Sequence, residues 1–189
     1  ALTPVEETAR PPEAIGLLGD IGSTQPSLLD DALLDIRDSL RRGSTGDSGE
    51  IEEYWHEREA AATALRRIAE ADPERLEPVV PALSDALTDP AENVRIEAAD
   101  ALKEIGTANP EAVSGAIDAL EALRDGAVPD TDTPPQARVI LEDDPTPAEA
   151  AAEALTAIGS AGDATEIYRG ESGSSTKTVC PQCSREASA

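Results

Sequence analysis

One short ending recurs four times along the chain and constrains the fold more than any other feature. In each copy a leucine is followed three residues later by an isoleucine, and a small residue comes next, at 18–22, 65–69, 102–106 and 155–159. The spacing of three places both apolar side chains on one face of a helix. Three of the copies end in glycine, the residue preferred just past a helix C-terminus. The ending therefore predicts four helices that stop in the same way.

The spacing of these endings indicates a repeat architecture. Their isoleucines, at positions 21, 68, 105 and 158, are 47, 37 and 53 residues apart, and a loose period near forty residues is typical of α-helical solenoids. Aromatic residues form only 2% of the chain, so the core must consist of Ala, Leu, Ile and Val, which suits close-packed helices. We predict an all-α fold, a short α-α solenoid of about three to four helical hairpins.

Four dipeptides predict where the intervening helices begin. In each, a residue favoured at the N-cap precedes a proline, which is favoured at the first helical position: Asp72-Pro73, Asp89-Pro90, Asn109-Pro110 and Thr146-Pro147. Glu92 and Glu149 follow Asp89 and Thr146 by three residues, which is the spacing of a capping box. We therefore expect capped helix starts at 89 and 146.

Residues 78–106 resemble a complete HEAT repeat of the type collected with phycobilin-lyase-like HEAT proteins. The residues that carry the resemblance are Leu83, Leu87, Asp89, Pro90, Val94, Arg95, Ala98, Ala99, Ala101, Leu102 and Ile105. In that family the Asp of the turn and the Arg that opens the second helix form a ladder between neighbouring repeats, which implies structural roles for Asp89 and Arg95. Arg58 precedes Leu65 by seven residues, as Arg95 precedes Leu102, so the resemblance implies the same role for Arg58. Seven residues before the leucine of the ending, the last segment has Ala148 and the first has Pro11 in place of an arginine.

The resemblance extends over roughly residues 12–162 and divides the chain into three parts. We predict an N-terminal tail at 1–11, the HEAT-like solenoid at 12–169 and a flexible C-terminal tail at 170–189. Two interruptions are expected inside the solenoid, a Gly/Ser-rich loop at 43–49 and an acidic, proline-rich excursion at 126–147 with room for one extra turn at 136–141. The second either lies back on the solenoid or docks a partner.

The net charge of the chain indicates which partners it binds and how much salt surrounds it. The net charge is −24, and the only lysines are Lys103 and Lys177. This composition resembles that of proteins from extremely halophilic archaea, whose cytoplasm is rich in salt; an ordinary acidic protein or a nucleic-acid mimic is the alternative. Affinity for nucleic acid comes mainly from neutralising phosphates, so we predict no nucleic-acid binding. The chain shows neither an apolar run long enough to span a membrane nor a signal peptide, and we expect a cytoplasmic protein with no membrane partner.

The sequence offers little on which to build catalysis. His56 is the only histidine, which excludes a site that needs two imidazoles from one chain. Deoxyhypusine hydroxylase, an iron enzyme of HEAT-like repeats, uses several His-Glu pairs, whereas this chain has the single pair His56-Glu57. Repeat similarity to phycobilin lyases does not transfer their chemistry. We therefore predict no catalytic residue and no bound cofactor, and expect His56 on a helix surface.

Tyr54 and Trp55 are the one concentration of aromatic side chains in an aromatic-poor chain. If they are buried, they close the core of the first hairpin. If they are exposed, they are candidates for partner binding, because Trp and Tyr are enriched at binding hot spots. We expect at least Trp55 to be buried.

The C-terminal tail contains the only two cysteines, Cys180 and Cys183, spaced as Cys-Pro-x-Cys. This spacing resembles one knuckle of a zinc ribbon, but tetrahedral zinc needs four ligands. Three interpretations stay open: a knuckle completed by a second chain or a partner, an idle motif, or a redox-active dithiol.

Together these features predict a non-enzymatic protein–protein interaction scaffold or adaptor of HEAT-repeat type. Its working surface is expected to be the concave face, lined by the second helices of the pairs. The alternatives are an enzyme or enzyme subunit of the bilin-lyase or HEAT-type hydroxylase kind, and a zinc-linked homo-oligomeric structural protein. The partner is expected to be another protein, with metal-linked self-association as an additional possibility.

Overall fold

The computed structural model describes residues 11–24, 30–42, 48–128 and 145–173, with side chains described at 11–22, 24, 32–42, 54–128 and 145–162. These residues form α1 (Pro12–Thr24), α2 (Asp30–Arg41), α3 (Ser48–Ala71), α4 (Val80–Ala86), α5 (Glu92–Ala108), α6 (Ile117–Arg124) and α7 (Pro147–Gly173). The 3-10 helices Pro73–Val79 and Ser114–Ala116 lead into α4 and α6. None of the described residues belongs to a β-strand.

The helices stack in two layers. Helices α1, α3, α5 and α7 lie side by side, each packed on the next, and we call them the second-helix layer. The first-helix layer contains α2, α4 and α6, which pack on α3, α5 and α7 respectively. Three helix pairs therefore follow one another in chain order within the described residues, and α1 extends the second-helix layer by one helix. This arrangement confirms the predicted all-α solenoid.

The four repeated endings lie in the four helices of the second-helix layer. Leu65, Ile68, Leu102 and Ile105 are fully buried there, in a core of alanine, leucine, isoleucine and valine. The glycines of the endings do not terminate their helices, however, because α1 and α5 continue for two residues beyond them and α7 continues from Gly159 to Gly173.

At Gly106 close packing is the physical reason for a glycine. A Cβ atom at this position would lie 2.5 Å from Cγ1 of Ile158 and 2.7 Å from Cγ2 of Val113, closer than carbon atoms can pack. Gly19 has the same function inside the ending of α1, three residues before Gly22, where a Cβ would lie 2.8 Å from Ala64. These glycines permit close approach of neighbouring helices, and the interpretation of the glycine endings as C-caps was wrong.

The predicted helix starts differ in outcome. Thr146 forms the complete capping box: its backbone N–H donates to Glu149 Oε2 at 2.8 Å, and the Glu149 N–H donates to Thr146 Oγ1 at 3.2 Å. The predicted box at Asp89 was wrong, because α5 begins at Glu92 with Ala91 at the N-cap. Asp89 instead accepts a hydrogen bond from the N–H of Ala91 at 2.8 Å, which fixes the turn ahead of the helix.

The other two dipeptides also lead into different elements from those expected. Pro73 opens a 3-10 helix, and Asp72 makes no side-chain cap. Asn109 follows the end of α5, and α6 begins only at Ile117. The side-chain amide of Asn109 donates to Glu77 Oε1 at 2.7 Å.

Two observed helices extend past the boundaries predicted for them. Helix α3 begins at Ser48, inside the loop expected at 43–49, and α7 runs to Gly173, past the solenoid limit expected at 169. Residues 1–10, 43–47, 136–141 and 174–189, which include Cys180 and Cys183, lie outside the described residues. In the part of the chain that the structure describes, no helix has both the length and the apolar character needed to cross a membrane.

Candidate interaction surface

A buried ion pair joins the first helix pair to the second. Arg58 on α3 is completely buried, and its Nε donates to Asp89 Oδ2 at 2.7 Å while its Nη2 donates to Oδ1 at 3.3 Å. Asp89 lies in the turn between α4 and α5 and is itself only 3% exposed. A charge-assisted contact through two nitrogens fixes the orientation of both groups, so it sets the position of α5 relative to α3.

Arg95 acts on the same turn from within its own repeat. Its Nη1 donates to the carbonyl oxygens of Asp89 at 2.6 Å and Pro90 at 3.1 Å. Its guanidinium also lies 3.8 Å from the carboxylate of Glu92. The side chain of Asp89 thus receives Arg58 from the preceding repeat, while its backbone receives Arg95 from the same repeat. These contacts bring together Arg58, Asp89 and Arg95, the three residues to which the resemblance gives a structural role.

A second set of polar contacts joins Arg42 to residues 54–58 of α3. Arg58 Nη1 donates to the carbonyl oxygen of Arg42 at 3.2 Å. The guanidinium of Arg42 lies 5.7 Å from the ring centroid of Tyr54, a cation–π distance, and 3.8 Å from the buried carboxylate of Glu57. Arg42 therefore links the two features: its carbonyl oxygen contacts Arg58 of the buried ion pair, and its guanidinium contacts the ring of Tyr54.

Tyr54 and Trp55 are both half-buried, which differs from the expectation that Trp55 is buried. The Trp55 ring does not enter the core of the first hairpin but stacks on the imidazole of His56, with ring centroids 3.4 Å apart and planes inclined by 30°. The His56 side chain is 62% exposed and lies 4.0 Å from the carboxylate of Glu59. The structure thus places His56 on the helix surface beside Tyr54 and Trp55.

Polar contacts also cross every joint of the second-helix layer. They connect α1 to α3, α3 to α5 twice, and α5 to α7: Asp20 with Arg67, Arg66 with Glu97, Glu59 with Asn93, and Lys103 with Glu153. Because each helix is tied to the next, the exposed side chains of four successive helices are held in a fixed relation.

The contact between Arg66 and Glu97 is the most buried of the four. Burial, together with the negative charge of Asp100, raises the pKa of Glu97 above its ordinary value, and these effects exceed the lowering by Arg66 and Thr63. Burial lowers the pKa of Arg66, but the charge and hydrogen bond of Glu97, together with the charges of Glu70 and Asp100, raise it by more.

At Lys103, which contacts α7, the neighbouring carboxylates affect the pKa more than burial does. Burial lowers its pKa, but the hydrogen bond to Asp100 at 3.1 Å and the charges of Asp100 and Glu153 raise it by more. The ammonium group is therefore stabilised in its charged form.

These cross-helix contacts were not predicted from the sequence, although it contains one signal of them. Asp20 and Arg67 each directly precede the isoleucine of a repeated ending, so opposite charges occupy the equivalent position in successive repeats. The other contacts join non-equivalent positions, and their partners follow from the packing of the helices rather than from the period.

No metal site emerges from the geometry. Among the residues whose positions are described, no group of three or more His, Cys, Asp or Glu side chains could hold a metal ion. Cys180 and Cys183 lie outside that part of the chain.

Comparison with known proteins identifies the central part of the chain. Residues 55–105 match the family model described as HEAT-like repeat. The chain contains a HEAT-like repeat. The matched segment runs from Trp55 on α3 to Ile105 on α5, so this HEAT-like repeat includes Arg58, Asp89 and Arg95. No curated protein and no solved structure matches the chain.

Proposed function

We propose that the protein is a non-enzymatic scaffold or adaptor that binds another protein through the exposed side of its second-helix layer. The observation that carries the proposal is the set of cross-helix polar contacts, which hold α1, α3, α5 and α7 as one extended surface around a HEAT-like repeat. Stacked helical repeats present extended surfaces of this kind to their partners, on the concave side of the stack. HEAT repeats often mediate protein interaction, which supports this use of the surface.

The aromatic side chains at the start of α3 support a place for partner contact within this surface. Tyr54 and Trp55 are half-buried, so each has one part fixed by the protein and another part open to contact. Residues of these two types supply large contact areas at low entropic cost and dominate many interfaces. We propose them as anchors at the edge of the second-helix layer.

Capture of a partner by matched charge-reversal variants tests the proposal. Glu104 lies on α5 in the second-helix layer and Glu121 lies on α6 in the first-helix layer. A tagged wild-type protein, Glu104→Arg and Glu121→Arg would be used to recover partners from the native lysate at high salt, with quantification by mass spectrometry. We expect a stoichiometric partner that Glu104→Arg loses and Glu121→Arg retains. Recovery of no such partner, or equal retention by both variants, would contradict the proposal.

We further propose that the protein is of the phycobilin-lyase-like HEAT type and works in the salt-rich cytoplasm of a halophilic archaeon. The net charge of −24 supports this medium, because self-repulsion opposes folding until salt screens it. The Debye length falls from about 10 Å to about 3 Å between roughly 0.1 M and 1 M salt. The melting temperature is expected to rise over this range of KCl, whereas an unchanged or falling melting temperature would contradict the proposed medium.

For the C-terminal tail we propose that Cys180 and Cys183 form half of a zinc site completed by a second chain. The support is the Cys-Pro-x-Cys spacing, which supplies two of the four thiolate ligands of a tetrahedral site. Light scattering would show whether the mass in solution falls when a chelator is added and stays low in a Cys180→Ser/Cys183→Ser variant. A mass that responds to neither change would exclude the shared site.

A further inference from the structure

An open groove lies on the first-helix layer, between the segment that forms α4 and the turn that leads into α6. Its volume is about 390 Å³, and its lining includes Glu77, Val80, Pro81, Asp85, Ala112 and Gly115. This volume is at the small end of the range of roughly 300–1,000 Å³ for ligand sites, so the groove suits a few side chains of an extended segment.

The lining of the groove contains both apolar and acidic residues. Val80 is almost buried, Ala112 is half-buried and Pro81 is exposed. Glu77 and Asp85 are both exposed, and no basic side chain is among the residues that line the groove. An entering segment therefore meets both apolar surface and two carboxylates.

Both carboxylates are held in place by neighbouring repeats. Asn109 Nδ2 donates to Glu77 Oε1 at 2.7 Å, and Arg41 Nη2 donates to Asp85 Oδ2 at 2.7 Å. The amide of Asn109 is neutral, so Glu77 keeps its full negative charge. The guanidinium of Arg41 partly neutralises Asp85. Glu77 is consequently the stronger of the two carboxylates for holding a cation.

We propose that this groove binds a short segment of another protein in which basic and apolar residues alternate. The aliphatic stem of an arginine or lysine covers Val80, Pro81 and Ala112, and its charged end reaches Glu77, as long basic side chains do when they lie along apolar surface. At contact distance the two carboxylates of the groove favour a basic side chain and disfavour an acidic one. The groove is a second docking surface, separate from the second-helix layer.

Two glycines provide a matched pair of variants. A Cβ atom added at Gly115 would meet no heavy atom within 4 Å, so a side chain can be introduced there without displacing its surroundings. Gly159 on α7 has the same free space and does not line the groove. Gly115→Arg places bulk and positive charge in the groove, and Gly159→Arg makes the same change of net charge elsewhere.

The binding experiment uses a fluorescein-labelled synthetic peptide of alternating arginine and leucine, measured by fluorescence anisotropy at about 0.15 M salt. We expect wild type and Gly159→Arg to bind it with similar Kd values, and Gly115→Arg to raise the Kd by about tenfold or more. A peptide with glutamate in place of each arginine is expected not to bind. Glu104→Arg is expected to leave the Kd nearly unchanged, which separates this groove from the surface proposed above.

A second pair of variants keeps the test valid if Gly115→Arg fails to fold, which thermal unfolding would reveal. Glu77→Gln removes the cation site, whereas Glu121→Gln removes the same charge from an exposed position on α6. We expect Glu77→Gln to weaken binding severalfold and Glu121→Gln to leave it unchanged. The proposal is overturned if the arginine–leucine peptide fails to bind wild type. It is also overturned if both members of either pair weaken binding equally, because the attraction is then a general effect of the acidic surface.

Discussion

The two joints on either side of α5 are built in different ways. Between α3 and α5, which we call the polar joint, the completely buried guanidinium of Arg58 meets Asp89, and two further contacts join Arg66 to Glu97 and Asn93 to Glu59. Between α5 and α7, which we call the close-packed joint, Gly106 lies directly against Ile158. The cross-helix polar contact there, between Lys103 and Glu153, is long and partly exposed.

The difference shows two ways of fixing neighbouring repeats. Hydrogen-bond geometry sets the position of the helices at the polar joint, so removal of one partner leaves a buried charge. Shape sets it at the close-packed joint, so addition of one methyl group creates a clash. The polar joint should therefore be sensitive to deletion and the close-packed joint to insertion.

The largest effect is expected for Asp89→Ala at the polar joint. The variant leaves the guanidinium of Arg58 buried without its carboxylate, and removal of one member of a buried pair costs about 3–5 kcal/mol. Urea unfolding at neutral pH measures this loss. Asp85→Ala is the matched control because its ion pair with Arg41 is exposed, and such pairs contribute roughly 0–1 kcal/mol.

A double variant distinguishes the buried charge from the turn. Arg58→Met/Asp89→Asn removes both charges but keeps an acceptor for the N–H of Ala91, and is expected to lose less stability than Asp89→Ala. If Asp89→Ala costs no more than Asp85→Ala, the buried pair does not hold the polar joint.

At the close-packed joint, Gly106→Ala is expected to destabilise the protein. The new methyl group would lie 2.5 Å from Ile158 and 2.7 Å from Val113, both buried, and overpacking of a core costs about 1–3 kcal/mol. This exceeds the gain of roughly 0.5–1 kcal/mol for replacing a helical glycine. Gly159→Ala, with no atom within 4 Å, is expected to show only the gain, so thermal unfolding should move in opposite directions for the two variants.

A second substitution, at Ile158, would show whether this side chain clashes with the methyl group added at position 106. Ile158→Ala removes one of the two side chains that the new methyl group meets, so Gly106→Ala and Ile158→Ala should cost less together than the sum of the two single changes. Strict additivity would show that the two side chains do not meet.

The same comparison shows what the sequence could and could not predict. The Leu and Ile of each ending correctly indicated the helices of the second-helix layer, because helical periodicity is local information. The glycine at position 106 was misread as a C-cap, since its cause is the side chain of Ile158, which lies far along the chain. Likewise, Asp89 has the local signature of an N-cap, but it serves Arg58 and the Ala91 N–H instead. Packing between repeats decided both cases.

The start of α7 tests whether local capping also supports the close-packed joint. Thr146→Ala removes the hydroxyl that accepts from the Glu149 N–H, and loss of an N-cap costs about 1 kcal/mol. Thr107→Ala is the control, because the Thr107 hydroxyl only donates to the carbonyl of Lys103 within α5 among the contacts described. Chemical unfolding should show a loss for the first variant and little change for the second; equal losses would remove the capping box as the cause.

The smallest effect is a pair of opposite pH dependences, one from each side of α5. Burial raises the pKa of Glu97 above 4.5, so its native state favours the protonated form. The stability that Glu97 contributes is therefore present below 4.5 and is lost as the pH rises through its folded pKa. Glu149 is the reverse: the hydrogen bonds from the backbone and hydroxyl of Thr146 lower its pKa below 4.5. Its contribution is present above 4.5 and is lost as the pH falls through its folded pKa.

Glutamine variants isolate these two contributions from those of the many other carboxylates. The difference in unfolding free energy between wild type and Glu97→Gln should decrease as the pH is raised, across urea titrations from about pH 3 to 7. The difference between wild type and Glu149→Gln should decrease as the pH is lowered over the same range. Slopes of the same sign would show that burial does not dominate at Glu97, and the polar joint would then owe more to the attraction of Arg66 than to the desolvation of its carboxylate.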